Sequence, residues 1–300
     1  MNAWWSDLFL AGYFLLYGVA VGGLMLWRKR SRRERKPFAD EQKLLRGPGE
    51  SLRRRVNELD ENLDLWLCVG SLLPLLAGPG LFALVMAVDE SAGVVAIVLG
   101  SVGLLAGFIL SARWVMCRLV ERQNRYLGYF GERVVAESLE PLKLRGWRIF
   151  HDVPCDALAG SSNIDHVAVG PGGVFVIETK TRRKGHARPG QPDYKVVSDG
   201  ERLIWPWGED QYGLKQAHQR ALWLGQWLEG LLGRPVAVQP ILALPGWWVE
   251  RSGRGTVQVL NAKELPVALT PRPGAPAPLS GDDIELVSRQ LDARCRDVEY

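Results

Sequence analysis

Three long stretches without a charged side chain occupy most of the first 118 residues, and no other feature restricts the fold as much. Leu8 to Trp27 is the first. Leu65 to Val88 is the second, with Pro74 and Pro79 inside it. Gly93 to Ala112 is the third, and it runs on to Cys117 if Arg113 snorkels to the headgroups. A helix of about 20 apolar residues crosses the ~30 Å hydrocarbon layer of a bilayer. Core helices of a globular protein seldom stay uncharged at this length three times over. Three transmembrane helices are therefore expected, at 8–27, 65–88 and 93–117.

Charge around these spans orients them. A cleaved signal peptide carries its positive charge ahead of the apolar core. Here only Asp7 precedes it, while Arg28, Lys29, Arg30, Arg32, Arg33, Arg35 and Lys36 follow. The first span thus reads as an uncleaved anchor with the N-terminus outside. Positive charge stays on the cytoplasmic side, which places the basic segment 28–64 in the cytoplasm. The loop with Asp89 and Glu90 then lies outside, and everything after Arg113, Arg118, Arg122 and Arg125 lies in the cytoplasm again. The expected location is the cytoplasmic (inner) membrane, with the C-terminal domain in the cytoplasm. The basic segment reads first as a topology signal and second as a site for anionic lipid or nucleic acid. Gly18 and Gly22, and Gly103 and Gly107, have the GxxxG spacing through which spans self-associate. Trp4, Trp5, Trp27, Trp66 and Trp114 fall near span ends, where aromatic anchors collect. Lys43 to Leu63, punctuated by Gly47, Pro48 and Gly49, is expected to be helical on the membrane surface.

The 47% hydrophobic and 23% charged composition looks ordinary only because it averages an apolar first part with a soluble domain at 119–300. A net charge of +4 is a modest signal beside the clustering of basic residues. Cys68, Cys117, Cys155 and Cys295 form no CxxC pair and have no histidine at zinc-finger spacing, which argues against a zinc site or a disulfide framework. In the soluble half, Leu119 to Glu140 has helical periodicity interrupted only by Gly128 and Gly131, which leaves open whether it continues the third span. Strands are expected at 147–153, 163–169, 174–180, 194–197, 202–205, 236–244 and 256–260, with helices at 213–232 and 282–295. Pro266 to Pro278 reads as an exposed loop. The order predicts an α/β fold with a central mixed sheet.

Side chains alternate faces along a strand, so Val174, Val176, Glu178 and Lys180 share one face. The turn at Pro171–Gly173 returns the chain antiparallel and brings Asp165 alongside the Glu178 end. Two carboxylates held this close repel unless a cation or a proton sits between them. Mg²⁺ suits such a place, because it is hard, prefers oxygen and keeps exchangeable waters. It can polarise a phosphodiester oxygen and activate a bound water, with a lysine two residues on to orient that water or meet the charge growing on the phosphate. As the bland alternative, Glu178 and Lys180 neutralise one another at a sheet edge.

Gly131–Glu132, Asn163–Ile164–Asp165–His166, the Gly170–Pro171–Gly172–Gly173 turn, Val176–Ile177–Glu178–Thr179–Lys180 and Gln216–Ala217 together resemble the nuclease-related domain, NERD, over about residues 125–240. That domain is regarded as a branch of the PD-(D/E)xK nuclease superfamily. The resemblance implies a restriction-endonuclease-like mixed sheet flanked by helices, preceded here by the all-α transmembrane region. It implies Asp165 and Glu178 as ligands of Mg²⁺ or Mn²⁺, with the Thr179 carbonyl as a further oxygen. Lys180 would act on water or phosphate, Glu132 would help hold metal or water, and Gln216 would trim the site. It says nothing about the membrane spans.

His166 points to the other sheet face from Asp165 and reads as structural. Arg182, Arg183, Lys184, Arg188 and Lys195 follow the reactive strand and are expected to contact phosphates. Trp205, Trp207, Trp223 and Trp227 are candidates for base stacking, with core packing the stronger reading for most of them. The expected function is a membrane-anchored, Mg²⁺-dependent nuclease acting on nucleic acid, DNA ahead of RNA. The alternative is a catalytically silent module that binds nucleic acid or tethers partners to the membrane.

Overall fold

The computed structural model describes residues 12–13, 16–24, 26–27, 43–155, 162–270 and 279–299. In chain order its elements are β1 (Leu44–Leu45), α1 (Glu50–Glu61), α2 (Leu63–Val88), α3 (Gly93–Lys143), β2 (Arg148–Cys155), β3 (Ser162–Gly170), β4 (Gly173–Thr179), β5 (Lys195–Ser198), β6 (Leu203–Trp205), β7 (Gly208–Asp210), α4 (Tyr212–Leu232), β8 (Val238–Ala243), β9 (Trp248–Arg251), β10 (Gln258–Leu260), α5 (Leu265–Ala268), α6 (Gly281–Arg294) and β11 (Arg296–Val298). The chain divides into two compact units. One comprises residues 1–39 and 56–123, the other 40–55 and 124–300.

In the first unit, α2 and the apolar part of α3 are long and apolar enough to cross a membrane. Side chains such as Leu76, Val94 and Leu105 stand exposed along them, and each would be costly to leave in water. The two helices touch through small residues. Cβ atoms at Gly103 and Gly107 would collide with Ala77 and Pro74, and Ser111 Oγ donates to the Gly70 carbonyl at 2.6 Å. The Gly103–Gly107 spacing, expected as a self-association surface, thus faces the neighbouring helix of the same chain. Trp66 and Trp114 meet edge to face, with Arg118 over the Trp66 ring. Within the expected first span, 8–27, the described residues 12–13, 16–24 and 26–27 are helical, and the basic run that follows lies outside the described residues.

The second unit is built on a five-stranded sheet in the order β10-β8-β4-β3-β2. β10, β8 and β4 run parallel, and β4, β3 and β2 antiparallel. This is the mixed sheet flanked by helices that was expected. One face carries Val167, Val169, Val174 and Val176 against Ala221, Leu224 and Leu228 of α4 and Val287 and Leu291 of α6. The other carries Ala168, Phe175 and Ile177 against Val135, Leu139 and Leu142 of α3. A second sheet, β7-β6-β5-β9, packs Val196, Leu203, Trp205 and Trp247 with Leu214 and Ala217.

Two of the expected stretches take another form, and a third settles a point left open by the periodicity. Leu44–Leu45 is not helical but pairs with β11, and the helix starts only at Glu50. Gly49 has φ +69°, and a Cβ there would strike the Tyr129 ring, so the Gly-Pro-Gly sequence ends the strand rather than interrupting a helix. α3 runs unbroken from Gly93 through Gly128 and Gly131 to Lys143. The proline-rich stretch opens with helix α5, preceded by a capping box between Asn261 and Glu264, and 271–278 lie outside the described residues.

Candidate active site

β4 is buried over its whole length, and its last residues carry the charge. Ladder pairing between β3 and β4 is recorded from Gly170↔Gly173 to His166↔Ile177. At the next position the Asp165 side chain replaces the ladder, as its Oδ2 accepts from the Thr179 N–H at 2.7 Å. On the other side Glu178 and Thr179 pair with Leu242 and Ala243 of β8. Asp165 and Glu178 are thereby fixed by backbone on both flanks.

The aim of Asp165 has a local cause on β2. Asp152 is the one non-glycine with positive φ, +49°, among the described residues. The recorded register steps from His151↔His166 to Val153↔Ile164 and omits Asp152 and Asp165. Phe150 and Val153 consequently share one core cluster, as do Val167 and Ile164. Simple alternation would separate each pair. This paired irregularity behaves as a bulge, which re-aims a side chain.

Glu178 is 1% exposed and accepts from Lys180 Nζ at 2.8 Å. Lys180 Nζ also lies 5.3 Å from the centre of the Tyr212 ring. Glu132 enters from α3. A Cβ at Gly131 would collide with Thr181, so the bare glycine lets the helix run tight against the exit of β4. Burial, reinforced by the charges of Asp165 and Asp152, pushes the Glu132 carboxyl up to about 9, with Arg220 and Lys180 acting against the rise. Glu132 is therefore a neutral acid at pH 7. Its Oε2 is buried without a hydrogen bond, as is Gln216 Oε1 on α4.

The residue that sequence reasoning missed is Arg220. One turn beyond Gln216, it is buried on a face otherwise formed by Leu214, Ala217, Ala221 and Leu224. Its guanidinium donates to Asp165 Oδ1 at 3.0 Å and pairs with Glu178. The signal was present, since an arginine in phase with an apolar stripe needs a buried partner.

Residues 127–245 match the family model of the nuclease-related domain. The chain carries a NERD domain. No curated protein and no solved structure matches the chain. Glu132, Asp165, Glu178, Lys180, Gln216 and Arg220 all fall inside the NERD segment, whereas β1, β10, α6 and β11 lie outside it.

The remaining candidates are spread around this centre. Arg182, Arg183 and Lys184 are exposed on the loop leaving β4. Arg182 is 3.9 Å from Asp210, and Lys184 lies over the Trp247 ring. Lys195 belongs to the second sheet and is matched by Glu250 at 2.5 Å. His166 is fully buried on the α3 side, and its Nδ1 meets His151 Nδ1 at 2.8 Å. Trp205 and Trp207 stack on each other beside Trp247, and Trp223 stacks with Trp227 under Arg294. Trp205, Trp207, Trp223 and Trp227 therefore pack on other rings of the same unit.

Proposed function

We propose that the NERD domain of this chain hydrolyses phosphodiester bonds of nucleic acid with the help of Mg²⁺ or Mn²⁺, at the cytoplasmic face of a membrane to which its apolar helices anchor it. One observation carries the reading: Asp165, Glu178 and Lys180 converge at the end of a buried central strand, with the buried acid Glu132 beside them. The chemistry of the donors fits a small hard cation, because every candidate ligand is oxygen and two buried oxygens, Glu132 Oε2 and Gln216 Oε1, lack partners. Among the described residues there is no group of three or more His, Cys, Asp or Glu arranged as a cage. Mg²⁺ is commonly held by one or two carboxylates with water and phosphate completing its shell.

Asp165 and Glu178 would hold the ion. When bound, it supplies Lewis-acid polarisation of the phosphodiester and a more acidic water. Lys180 is fixed by Glu178 and backed by Tyr212, so its ammonium is aimed before substrate arrives and orients the attacking water or meets the phosphate. Glu132, whose carboxyl burial pushes up in the metal-free site, is placed to position a water beside the ion. Arg182, Arg183 and Lys184 give salt-dependent phosphate contacts. DNA is the substrate we place ahead of RNA.

The test is a cleavage panel of single- and double-stranded DNA and RNA, with the full-length chain in detergent and Mg²⁺ present. Glu178→Ala and Lys180→Ala are each expected to lower cleavage on the order of 100-fold or more. Undiminished cleavage in both variants removes these residues from the mechanism. A silent binding module is the second reading, favoured by Arg220 and Lys180 already supplying two positive charges to the two carboxylates. It requires nucleic acid to bind with unchanged affinity in Glu178→Ala and no substrate of the panel to be cut.

A further inference from the structure

The pairing of Arg220 with both carboxylates sets a condition on any ion that binds there. Glu178 and Arg220 are almost wholly buried, at 1% and 7% side-chain exposure, and Asp165 is 13% exposed. Two carboxylates in such a place need two positive charges, and the chain supplies them as Lys180 and Arg220. Asp165 Oδ1 is taken by Arg220, Oδ2 by the Thr179 N–H, and Glu178 Oε1 by Lys180. The guanidinium is nonetheless incompletely satisfied, since Arg220 Nε is buried without an acceptor. An arginine left one acceptor short in a buried pair is held less firmly than one whose fork is fully engaged.

We propose that Arg220 is an exchangeable counter-cation, occupying the carboxylate pair until a divalent ion displaces it. This inference rests on the metal-dependent reading above. In the resting state the cluster is neutral and its carboxylates are held together without metal. Exchange of the guanidinium for a divalent ion raises the charge at the carboxylate pair by one, and the displaced guanidinium adds its donors to the ammonium of Lys180 on the side where an anionic backbone arrives. Arg220 thus lowers the affinity for the ion in the absence of nucleic acid, and it keeps the two acids from repelling each other when no ion is bound.

The test is calorimetric titration of Mn²⁺ into the full-length chain in detergent, comparing wild type, Arg220→Gln, Arg220→Lys and Glu178→Gln. Thermal unfolding of each is recorded in chelator and in Mn²⁺. Arg220→Gln is expected to bind Mn²⁺ about tenfold more tightly than wild type, with Arg220→Lys between them. It is also expected to melt lower than wild type in chelator and to gain more from Mn²⁺. Equal or weaker Mn²⁺ binding by both Arg220 variants, with binding still lost in Glu178→Gln, overturns the exchange and leaves the metal site standing. Absence of Mn²⁺ binding in wild type and in both Arg220 variants overturns the metal site itself, and the exchange with it.

Discussion

His151 and His166 show how one residue pair constrains the whole domain without entering the chemistry. Their rings meet edge to face across β2 and β3, with one nitrogen donating to the other. Burial holds each ring down to about 3, and for His151 the charges of His166 and Lys143 add to the effect while Glu140 opposes it. Both are neutral in the folded domain, whereas an unfolded histidine titrates near 6.5. The unfolded chain therefore binds more protons between these values, and the domain should lose stability as pH falls below about 6.5, until the folded pKa near 3 is passed. Unfolding near pH 5 is expected to take up about two protons at this pair. Replacing both residues, His151→Leu with His166→Leu, should flatten that slope, as read from unfolding free energies measured between pH 4 and 7. A double variant with the wild-type slope would show that the rings are protonated in place.

At the scale of elements, close approach decides whether charges meet. α3 lies against the exit of β4 only because residue 131 has no side chain, and the same helix delivers Glu132. Gly131→Leu is expected to push the helix off Thr181 and to disturb Glu132 and Lys180 together. Cleavage should fall at least tenfold while the far-UV circular dichroism keeps its helical signal. Activity within twofold of wild type would mean that the approach is not needed. The bulge at Asp152 works from the opposite flank. Its carboxylate is buried and raised by that burial, and it is held by the Ser51 hydroxyl at 2.6 Å, the Ser51 N–H at 3.0 Å, Asn163 at 3.1 Å and Arg46 at 3.2 Å.

Those partners lead to the whole molecule. Arg46 and Ser51 precede both described apolar helices in the chain, yet they belong to the same compact unit as the NERD segment. Arg46 also binds Asp297 of β11, so one arginine ties the segment ahead of α1 to both β2 and the last strand. A fragment of residues 119–300 loses these contacts and leaves a buried carboxylate short of its cation. Such a loss costs about 3 kcal/mol or more. Arg46→Ala in the full chain should lower the melting temperature by several degrees, and the 119–300 fragment should melt lower still. A fragment as stable as the full chain would show that segment 43–55 contributes nothing to the fold.

The apolar helices, the mixed sheet, the turn that folds β3 onto β4, and the meeting of Asp165, Glu178 and Lys180 were legible in the order of the amino acids. Each follows from length, alternation or a short antiparallel return, properties a chain carries locally. Arg220, the bulge at Asp152, the strand at Leu44–Leu45 and β9 were decided only by tertiary structure. Arg220 is 42 residues beyond Glu178 along the chain, and its role exists only when α4 packs on the sheet. The two-residue β1 has no periodicity to read and is defined by a partner at the opposite end of the chain. Contacts that close over such distances depend on the packing of every element between them, and packing is not written in any one segment.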